Sequence, residues 1–374
     1  MSYSLQILGT YGIPAKHGGF ETFAEMFAQY LVEKGWHVRV YCQVAQSESI
    51  RVTEWNGVEL YHVPAWGSGA SSTIHYDIRS MKIALKAKMP VLTLGYNTAF
   101  LNLFPKLMSI PNVINMDGVE WKRGKWGMLA KSIFYVNERL GCRFADHMVA
   151  DHPEIKKHLE RKGERKPVTV IPYSAKQYSE ITETHLHSFS LKPDQFFTVI
   201  ARPEPENQIL EVVQAFSCRP RGVRLVILGN YSKEHPYQAQ VLAAAGEEVD
   251  FIGPVYQPEV TSLRKFSLGY VHGHTVGGTN PSLVEALHAG NPVIAADNSF
   301  NRWVAGPKAK YFRSTEELDA IFTACLASKE TMKEMAKGSA EQYEAKFAYE
   351  KVMSAYHDLL VEVIDAKRST GHSP

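Results

Sequence analysis

Short apolar runs alternate with segments of helical periodicity along most of the chain. The runs have the length of strands, and the segments between them repeat apolar residues at three- and four-residue spacing, as amphipathic helices do. Regular alternation of this kind predicts parallel sheets covered by helices on both faces.

The alternation occurs twice, in two consecutive series. In the first series the predicted strands are Leu5–Gly9, Val38–Cys42, Val58–Val63, Val91–Gly95, Val113–Asn115, His147–Ala150 and Val168–Ile171, and the predicted helices include Gly19–Lys34, Ile74–Ala87, Trp126–Leu140 and Glu154–Arg161. In the second series the predicted strands are Phe197–Ala201, Leu225–Gly229, Asp250–Ile252, Leu268–Val271 and Val293–Ala296. A polar segment, Pro172–Pro193, separates the series and is interpreted as a linker.

The chain of 374 residues is long enough for two domains at about 150 residues each. We therefore expect two doubly wound Rossmann-like domains, residues 1–180 and 181–345, facing across a cleft. The tail from Glu316 to Lys367 is predicted to be almost entirely helical. We expect its last part, residues 346–374, to form a helix that crosses back to the first domain.

Composition excludes several classes of protein. The 41 basic and 39 acidic residues leave a net charge of +2, which gives no reason to expect a nucleic-acid partner. The most apolar window, Val91–Met108, is interrupted by Gly95 and Pro105, so a strand and a buried helix are predicted there rather than a membrane span. No signal peptide is recognisable, and the four cysteines are widely spaced. These features favour a cytoplasmic location.

Basic and aromatic residues are interleaved between Trp121 and Phe144. This stretch contains Lys122, Arg123, Lys125, Lys131, Arg139 and Arg143 against a single acid, Glu138, with Trp126 and Phe134 among them. Basic residues beside interfacial aromatics favour an anionic partner or a membrane surface. The alternative is a solvated helix with an aromatic core face.

Two glycine-containing loops each connect a predicted strand to a predicted helix. In the first loop, Gly9–Glu21, the pair Gly18 and Gly19 allows the backbone to approach a ligand, and the following helix N-terminus offers N–H groups to an anion. The alternative is a plain glycine turn.

The second loop runs from Val271 to the helix ending near Leu287. Gly277 and Gly278 permit close approach, Thr279 or Asn280 serves as N-cap, and Pro281 occupies the first helical position. The N–H groups near Ser282 and Leu283 are then expected to face a diphosphate, and Glu285 to accept hydrogen bonds from sugar hydroxyls. The alternative is a well-capped helix with a surface glutamate.

Two further loops carry charged candidates. Arg202 follows the first strand of the second series and is suited to bind phosphate bidentately, unless it pairs with Glu204 or Glu206. Asp117 and Glu120 follow a strand of the first series, where either carboxylate can accept a proton or orient a hydroxyl. The alternative for Asp117 is a simple turn with Gly118.

Metal and hydrolase motifs are sparse. His272 and His274 form an H-x-H pair, but no obvious further ligands accompany it. No Asp-x-Asp, G-x-S-x-G or H-E-x-x-H pattern occurs. The sequence therefore predicts neither a bound metal nor a cofactor.

The motifs in these loops resemble those of glycosyltransferase family 4, of the two-domain GT-B type, especially the rhamnosyltransferase branch of polysaccharide assembly. The matching segments are G-T-Y-G-I-P-A-K-H-G-G-F-E-T-F from Gly9, D-G-V-E-W-K-R-G-K-W from Asp117, A-R-P-E-P-E-N from Ala201 and G-G-T-N-P-S-L-V-E-A from Gly277. The resemblance implies a nucleotide-sugar donor, dTDP-rhamnose in this branch, held by the second domain. It also implies a saccharide acceptor held by the first, retention of configuration and no metal.

The resemblance also assigns roles residue by residue. Glu285 matches the glutamate expected on the donor ribose, and Arg202 the arginine expected on the diphosphate. Gly277 stands where the family has a first glutamate, and Asn207 where it has a lysine. Asp117 falls near the family's active-site His or Asp. With these loops, His274 joins the predicted donor-binding set, and Arg202 joins Asp117 and Glu120 as catalytic candidates.

The expected activity is transfer of a sugar to an acceptor on a polyprenyl diphosphate, at the inner face of the plasma membrane. Lys122, Arg123 and Lys125 would meet the acceptor phosphates, and Trp126 would lie against lipid. A nucleotide-sugar epimerase, a metal-dependent hydrolase built on the His pair and a non-catalytic nucleotide-sugar-binding scaffold are the alternatives.

Overall fold

The computed structural model describes residues 3–16, 18–123, 126–161, 166–178 and 181–369. The chain divides into two compact units, residues 1–172 with 349–374 and residues 173–348. The sequence predicts the division after residue 180 and the last segment from residue 346, a few residues from these positions. Pro172 thus ends the first unit at the start of the predicted linker.

The first unit contains a sheet flanked by helices. Its strands are β1 (Ser4–Leu8), β2 (His37–Val44), β3 (Arg51–Trp55), β4 (Val58–Pro64), β5 (Val91–Leu94), β6 (Asn112–Asn115), β7 (His147–Ala150) and β8 (Val168–Val170). Its helices are α1 (Gly19–Glu33), α2 (Gly69–Ala87), α3 (Leu103–Leu107), α4 (Met128–Phe144) and α5 (Pro153–Glu160), with short 3₁₀ turns at Ala99–Asn102 and Glu120–Lys122. Over its described residues the strand order is β3-β4-β2-β1-β5-β6-β7-β8.

The central strands are buried on both faces, as parallel strands between two helix layers must be. Every residue of β5, β6 and β7 is buried. The polar Gln6 in β1 is fully buried, because its amide donates to the carbonyls of Ala84 and Met89 and its oxygen accepts from the Tyr41 hydroxyl. Because its polar atoms are hydrogen-bonded, this glutamine can occupy a strand in the core.

Two local predictions for the first unit need correction. Strand β3 was not predicted, since it is an antiparallel edge strand whose residues are almost all exposed and carry no burial pattern. The helix predicted to be buried after β5 is α3, a helix of five residues on which Phe104 is 46% and Leu107 71% exposed. The side chains of Phe104 and Leu107 thus face outward, and Pro105 is the buried residue of this helix.

The second unit repeats the architecture with a smaller sheet. Its strands are β9 (Phe196–Ile200), β10 (Arg224–Leu228), β11 (Val249–Gly253), β12 (Gly269–His272), β13 (Val293–Ala296) and β14 (Lys310–Phe312). Its helices are α6 (Thr184–His187), α7 (Ile209–Ser217), α8 (Pro236–Ala243), α9 (Glu259–Lys265), α10 (Pro281–His288), α11 (Ser299–Ala305), α12 (Thr315–Ala327) and α13 (Lys329–Gln342), followed by a π-helical turn at Tyr343–Phe347. For the described residues the order is β11-β10-β9-β12-β13-β14, all parallel.

The last helix, α14 (Tyr349–Ser369), packs within the first unit. The ring of Tyr356 lies 4.6 Å from that of Phe23 and 5.4 Å from that of Phe27, both on α1. The Tyr356 hydroxyl accepts a hydrogen bond from Asn115 at the end of β6, at 2.8 Å. The ammonium of Lys367 lies 2.7 Å from the carboxylate of Asp146.

Each sheet reverses its direction of winding once. In the first unit the reversal lies between β1 and β5, and in the second between β9 and β12. In open α/β sheets, ligands bind at the carboxyl ends of the strands at such a switch point. The prediction of two doubly wound Rossmann-like units with C-terminal helices is confirmed. The two switch points are the candidate positions for ligand binding.

Candidate functional site

The switch point of the second unit brings together two of the predicted loops. The β9 loop, residues 201–207, and the β12 loop, residues 273–280, touch where the Thr275 amide and hydroxyl both donate to the Glu206 carbonyl, each at 2.9 Å. A Cβ atom at Gly273 would collide with the carbonyl oxygen of Asn207. Glycine at this position is therefore what allows the two loops to approach.

Arg202 on the β9 loop is exposed. Within the described ranges its guanidinium forms no ion pair, so the alternative of pairing with Glu204 or Glu206 is not found. Asn207 is buried and its side-chain amide donates to the Arg202 carbonyl at 2.8 Å. Asn207 therefore braces the loop, while the Arg202 guanidinium remains available to an anion.

The glycine pair of the β12 loop offers unpaired backbone donors. The amides of Gly277 and Gly278 donate to no other residue that the structure describes. Gly277 has φ 137°, and no atom lies within 4 Å of the position its Cβ would take. Backbone conformation rather than lack of space thus requires glycine here, which explains why no glutamate stands at this position.

Helix α10 begins with its first amides already satisfied. The Asn280 side chain accepts from the Ser282 amide at 3.0 Å, and its carbonyl accepts from the Leu283 amide at 3.1 Å. The Ser282 hydroxyl donates to the Ile200 carbonyl at 3.2 Å. Thr279 is buried beside this cap. The amides expected to face a diphosphate at Ser282 and Leu283 are therefore internal, and the remaining donors are those of the glycine pair.

Glu285 has a partner that the sequence did not reveal. Its carboxylate forms an ion pair with Arg264, whose side chain is only 6% exposed and which also donates to the Ser282 hydroxyl at 3.2 Å. Both residues line a cavity of about 240 Å³ together with Lys176 and Tyr178. Nothing in the periodicity of α9 distinguishes Arg264 from a surface arginine, so only the fold could identify this pair.

The two histidines near the loop stack on each other, with ring centroids 4.1 Å apart. Burial, and next the neighbouring His274, holds the pKa of His272 well below its usual range, so His272 is neutral at physiological pH. Its Nδ1 lies 3.2 Å from the Tyr270 hydroxyl. The His274 carbonyl accepts from Asn298 and Asn301, which fixes the loop. Across the described ranges, no three His, Cys, Asp or Glu side chains gather as a metal site would require.

In the first unit, Asp117 lies at the end of β6 in an unusual conformation. Its φ is 50°, in the left-handed region, and its amide donates to the Asn115 side chain at 2.9 Å. Asp and Asn adopt this conformation more readily than other non-glycine residues, and six further non-glycine residues among those described share a positive φ, so the conformation alone does not mark a ligand site. Asp117 stays a candidate because it follows β6, at the carboxyl end of a parallel strand.

The Glu120 carboxylate has partners within its own segment of the chain. One carboxylate oxygen lies 2.8 Å from Arg123, and the other accepts from the Trp126 indole at 3.1 Å. Its amide donates to the Tyr96 hydroxyl. Glu120, Arg123 and Trp126 thus contact one another, and their predicted catalytic and acceptor-binding roles stay predictions. Lys125 lies outside the described residues.

The first glycine loop is also less suited to an anion than predicted. Gly18, with φ 98°, and Gly19 start α1, but Glu21 in its first turn accepts from the Thr10 hydroxyl and the Tyr11 amide. The negative charge of Glu21 disfavours a second anion beside it, but this carboxylate does not cap α1, whose first turn has no side-chain cap hydrogen bond. The donor-binding role of Gly18 and Gly19 stays a prediction.

Exposed apolar side chains concentrate on α3 and α4. This α3–α4 surface comprises Phe100, Phe104, Leu107, Met108, Met128, Leu129, Ile133 and Val136, with Met128 87% and Leu129 77% exposed. The two segments touch where the Phe100 amide donates to Asn137 and the Lys106 ammonium to the Arg143 carbonyl. Lys122 is exposed nearby in sequence, with its ammonium over the Trp121 ring. Among helices in the described ranges, none is long and apolar enough to cross a bilayer.

Comparison with known families matches most of the chain in two parts. Residues 3–176 match a family described as a domain of unknown function, DUF1972. Residues 182–342 match the family described as glycosyl transferases group 1. A search of curated proteins found no match.

Solved structures share the whole architecture at low identity. Sucrose-phosphate synthase from Thermosynechococcus elongatus has a TM-score of 0.81 and 16% identity, covering 97% of this chain and 100% of the other. Anabaena HepE in complex with UDP-glucose has a TM-score of 0.74 and 13% identity, covering 97% and 100%. WaaG, a glycosyltransferase involved in lipopolysaccharide biosynthesis, has a TM-score of 0.71 and 15% identity, covering 96% and 99%.

These findings establish the GT-B fold for the chain and a glycosyl transferases group 1 match for residues 182–342. The part that matches glycosyl transferases group 1 contains both loops of the second switch point. The narrower assignments to family 4 and its rhamnosyltransferase branch stay predictions.

Proposed function

We propose that the protein transfers a sugar from a nucleoside-diphosphate sugar to a saccharide acceptor. The observation that carries the proposal is the second-unit switch point, where the unpaired Arg202 guanidinium and the free amides of Gly277 and Gly278 lie on two touching loops. Cationic and amide donors without internal partners are suited to a diphosphate. The matched glycosyl transferases group 1 region, residues 182–342, supports the same reading.

The proposed mechanism follows from where negative charge develops during the reaction. As the glycosidic bond to the donor phosphate breaks, negative charge grows on the diphosphate. Fixed hydrogen-bond donors stabilise that charge without reorganising. We assign this role to Arg202 and the glycine amides, with no metal ion, and the role of orienting an acceptor hydroxyl to Asp117. Retention of anomeric configuration belongs to the same proposal.

For the donor we propose dTDP-rhamnose, on the motif resemblance. Glu285 remains the candidate for the ribose hydroxyls, with its carboxylate held in one orientation by the ion pair with Arg264. The structure of HepE is in complex with UDP-glucose, so uridine and guanosine sugars are the alternatives to test.

For the acceptor we propose a saccharide on a polyprenyl diphosphate, reached from the inner face of the plasma membrane. The support is the α3–α4 surface, since exposed apolar side chains of this extent mark an interaction site. The basic side chains Lys106, Lys131, Arg139 and Arg143 on the same two helices complement anionic headgroups. The lipid-facing residues are then Leu129 and its neighbours rather than Trp126.

The proposal is tested by turnover. The purified protein is incubated with dTDP-rhamnose, UDP-glucose or a GDP-sugar in the presence of EDTA, with and without membrane-extracted lipid-linked saccharide. Chromatography then follows the nucleoside diphosphate and the sugar. Acceptor-dependent release of nucleoside diphosphate supports a transferase.

Two alternatives give different results in the same assay. Conversion of the donor sugar without acceptor would identify an epimerase. Binding of donor without turnover of any kind would identify a non-catalytic scaffold. Activity that appears only when EDTA is omitted would contradict the metal-free mechanism.

A further inference from the structure

Arg264 on α9 is a buried cation whose counter-ion is Glu285 on α10. Its side chain is 6% exposed, and its Nη2 atom forms the ion pair with Oε2 of Glu285. The same nitrogen donates to the Ser282 hydroxyl at 3.2 Å. Among the residues that the structure describes, no other carboxylate pairs with this guanidinium. The pair therefore joins the two helices and holds the Glu285 carboxylate from one side.

Displacing Glu285 from Arg264 is costly for any ligand. It would leave a guanidinium unpaired where solvent hardly reaches, and a buried charge without a partner is strongly unfavourable. The Nε atom of Arg264 is already buried and has no hydrogen-bond partner within the described ranges. The ion pair thus supplies most of the compensation that this cation receives, and a ligand at Glu285 has to bind with the pair in place.

One carboxylate oxygen of Glu285 remains for a ligand. The side chain is 28% exposed and lines the cavity of about 240 Å³ that it shares with Arg264. No residue placed by the structure donates a hydrogen bond to its Oε1 atom, which is accessible to solvent. The carboxylate therefore keeps one unpaired acceptor, whereas Oε2 faces the guanidinium.

The number of unpaired oxygens matters because nucleosides differ in their hydroxyls. Ribose carries neighbouring 2′- and 3′-hydroxyls, which engage one carboxylate best when each donates to a different oxygen, whereas 2′-deoxyribose has the 3′-hydroxyl alone. With Oε2 held by Arg264, a 2′-hydroxyl meets an oxygen whose charge is already compensated. It then gains little over the hydrogen bond that it makes with water.

We propose that Arg264 sets the specificity of the donor site by making it indifferent to the 2′-hydroxyl, so that 2′-deoxynucleoside diphosphates bind as tightly as their ribo counterparts. The inference rests on the proposed donor site, in which Glu285 accepts from the sugar of the nucleoside. Arg264 contacts Glu285 and not the ligand, so it is a positioning residue. The argument comes from the ion pair and applies to any base.

Isothermal titration calorimetry on the full chain in EDTA tests the inference. The probes are three pairs of nucleoside diphosphates that differ only in the 2′-hydroxyl: UDP and dUDP, GDP and dGDP, and 5-methyluridine diphosphate and dTDP. The readout is the ratio of the two dissociation constants for the pair that binds most tightly. A general loss of structure weakens both members of a pair alike, whereas a change at Glu285 alters their ratio.

Three variants isolate the ion pair. Arg264→Met removes the charge and keeps an unbranched side chain, and Arg264→Lys retains a cation beside Oε2. Arg221→Met is the matched control, because Arg221 is another buried arginine of the second unit, with its side chain 1% exposed and paired with Asp319. Circular dichroism and thermal unfolding establish that each variant folds.

In the unmodified protein we expect the two dissociation constants to agree within about threefold. Arg264→Met frees Oε2, so the ribo member should then bind about tenfold more tightly than the deoxy member, as expected for a gained hydrogen bond to a charged acceptor. Arg264→Lys and Arg221→Met should keep the ratio of the unmodified protein.

A preference of more than about threefold for the ribo member in the unmodified protein would overturn the inference. That measurement needs no variant, so it decides the matter even if Arg264→Met does not fold. An unchanged ratio in a folded Arg264→Met would overturn the inference as well. In both cases a nucleotide still binds and the proposed donor site stands, whereas failure of every pair to bind would refute the donor site and the inference with it.

Discussion

The switch points of the two units share one architecture but carry opposite charge. Both sheets reverse at a switch point whose loops approach through a glycine, Gly9 in the first unit and Gly273 in the second. The first is lined by the carboxylates of Asp77 and Glu21, and the second presents Arg202 and free amides. The fold determines where a ligand can bind, whereas a few charged side chains determine which charge of ligand the site suits.

We expect the largest effect on nucleotide affinity when a carboxylate replaces the Arg202 guanidinium at the second switch point. Arg202→Glu should weaken binding of a nucleoside diphosphate by about 100-fold, or ~2.7 kcal/mol, because it removes a charge-assisted contact and adds repulsion. Isothermal titration calorimetry with UDP and dTDP measures it. Arg219→Ala, a surface change on the same unit, serves as the control, and equal affinities for both variants would exclude a role for Arg202.

The converse change concerns Asp77, whose pKa burial raises from 3.8 to about 6. The folded state binds this proton more tightly than the unfolded state, so its carboxyl costs stability as pH rises from about 4 to 6. Asp77→Asn should therefore raise the free energy of unfolding by about 3 kcal/mol at pH 7.5 and have little effect at pH 4. Urea denaturation at both pH values measures the difference. A stabilisation that did not depend on pH would argue against a buried, ionised carboxylate.

Gly277→Ala tests the loop conformation. An alanine at φ 137° is strained although no atom blocks its Cβ. We expect the free energies of unfolding and of nucleotide binding together to become less favourable by about 1.5 kcal/mol. Gly127→Ala, at φ −69° and also in open space, is the matched control. Identical denaturation and titration curves for the two variants would show that the loop relaxes freely.

The smallest effect concerns the α3–α4 surface. Leu129→Glu should reduce binding to anionic vesicles about fivefold, or ~1 kcal/mol, since one exposed leucine is partly buried in lipid. Cosedimentation with phosphatidylglycerol vesicles measures it, with Ile50→Glu, an exposed apolar position elsewhere on the first unit, as the control. Equal loss in both variants would point to net charge rather than to this surface.

Local sequence signals located the second switch point but not its full chemistry. Gly277, Gly278 and Pro281 follow an apolar strand, so a capped helix start was predictable. The direction of the Ser282 and Leu283 amides was not, because Asn280 satisfies them. The pairing of Arg264 with Glu285 joins two helices and leaves no trace in the sequence.

In the first unit, one local contact was overlooked in the sequence and a cavity of about 200 Å³ at the switch point was not predicted. Glu120 and Arg123 stand three residues apart, a spacing that itself favours pairing, yet they were predicted to face a ligand. Asp77 and Asn102, which line the cavity, lie in ordinary helical and turn sequence with no motif around them. Their proximity arises from sheet order, which residue patterns do not encode locally.

We propose that the second switch point binds a nucleoside-diphosphate sugar without a metal ion. Thermal unfolding in EDTA with dTDP-, UDP- and GDP-sugars tests it most directly. A donor at about 100 times its dissociation constant should add about 2.7 kcal/mol, equivalent to several degrees for a protein of this size. We expect one nucleotide class alone to raise the midpoint of unfolding and Arg202→Glu to abolish the rise. An unchanged midpoint with every donor would contradict it.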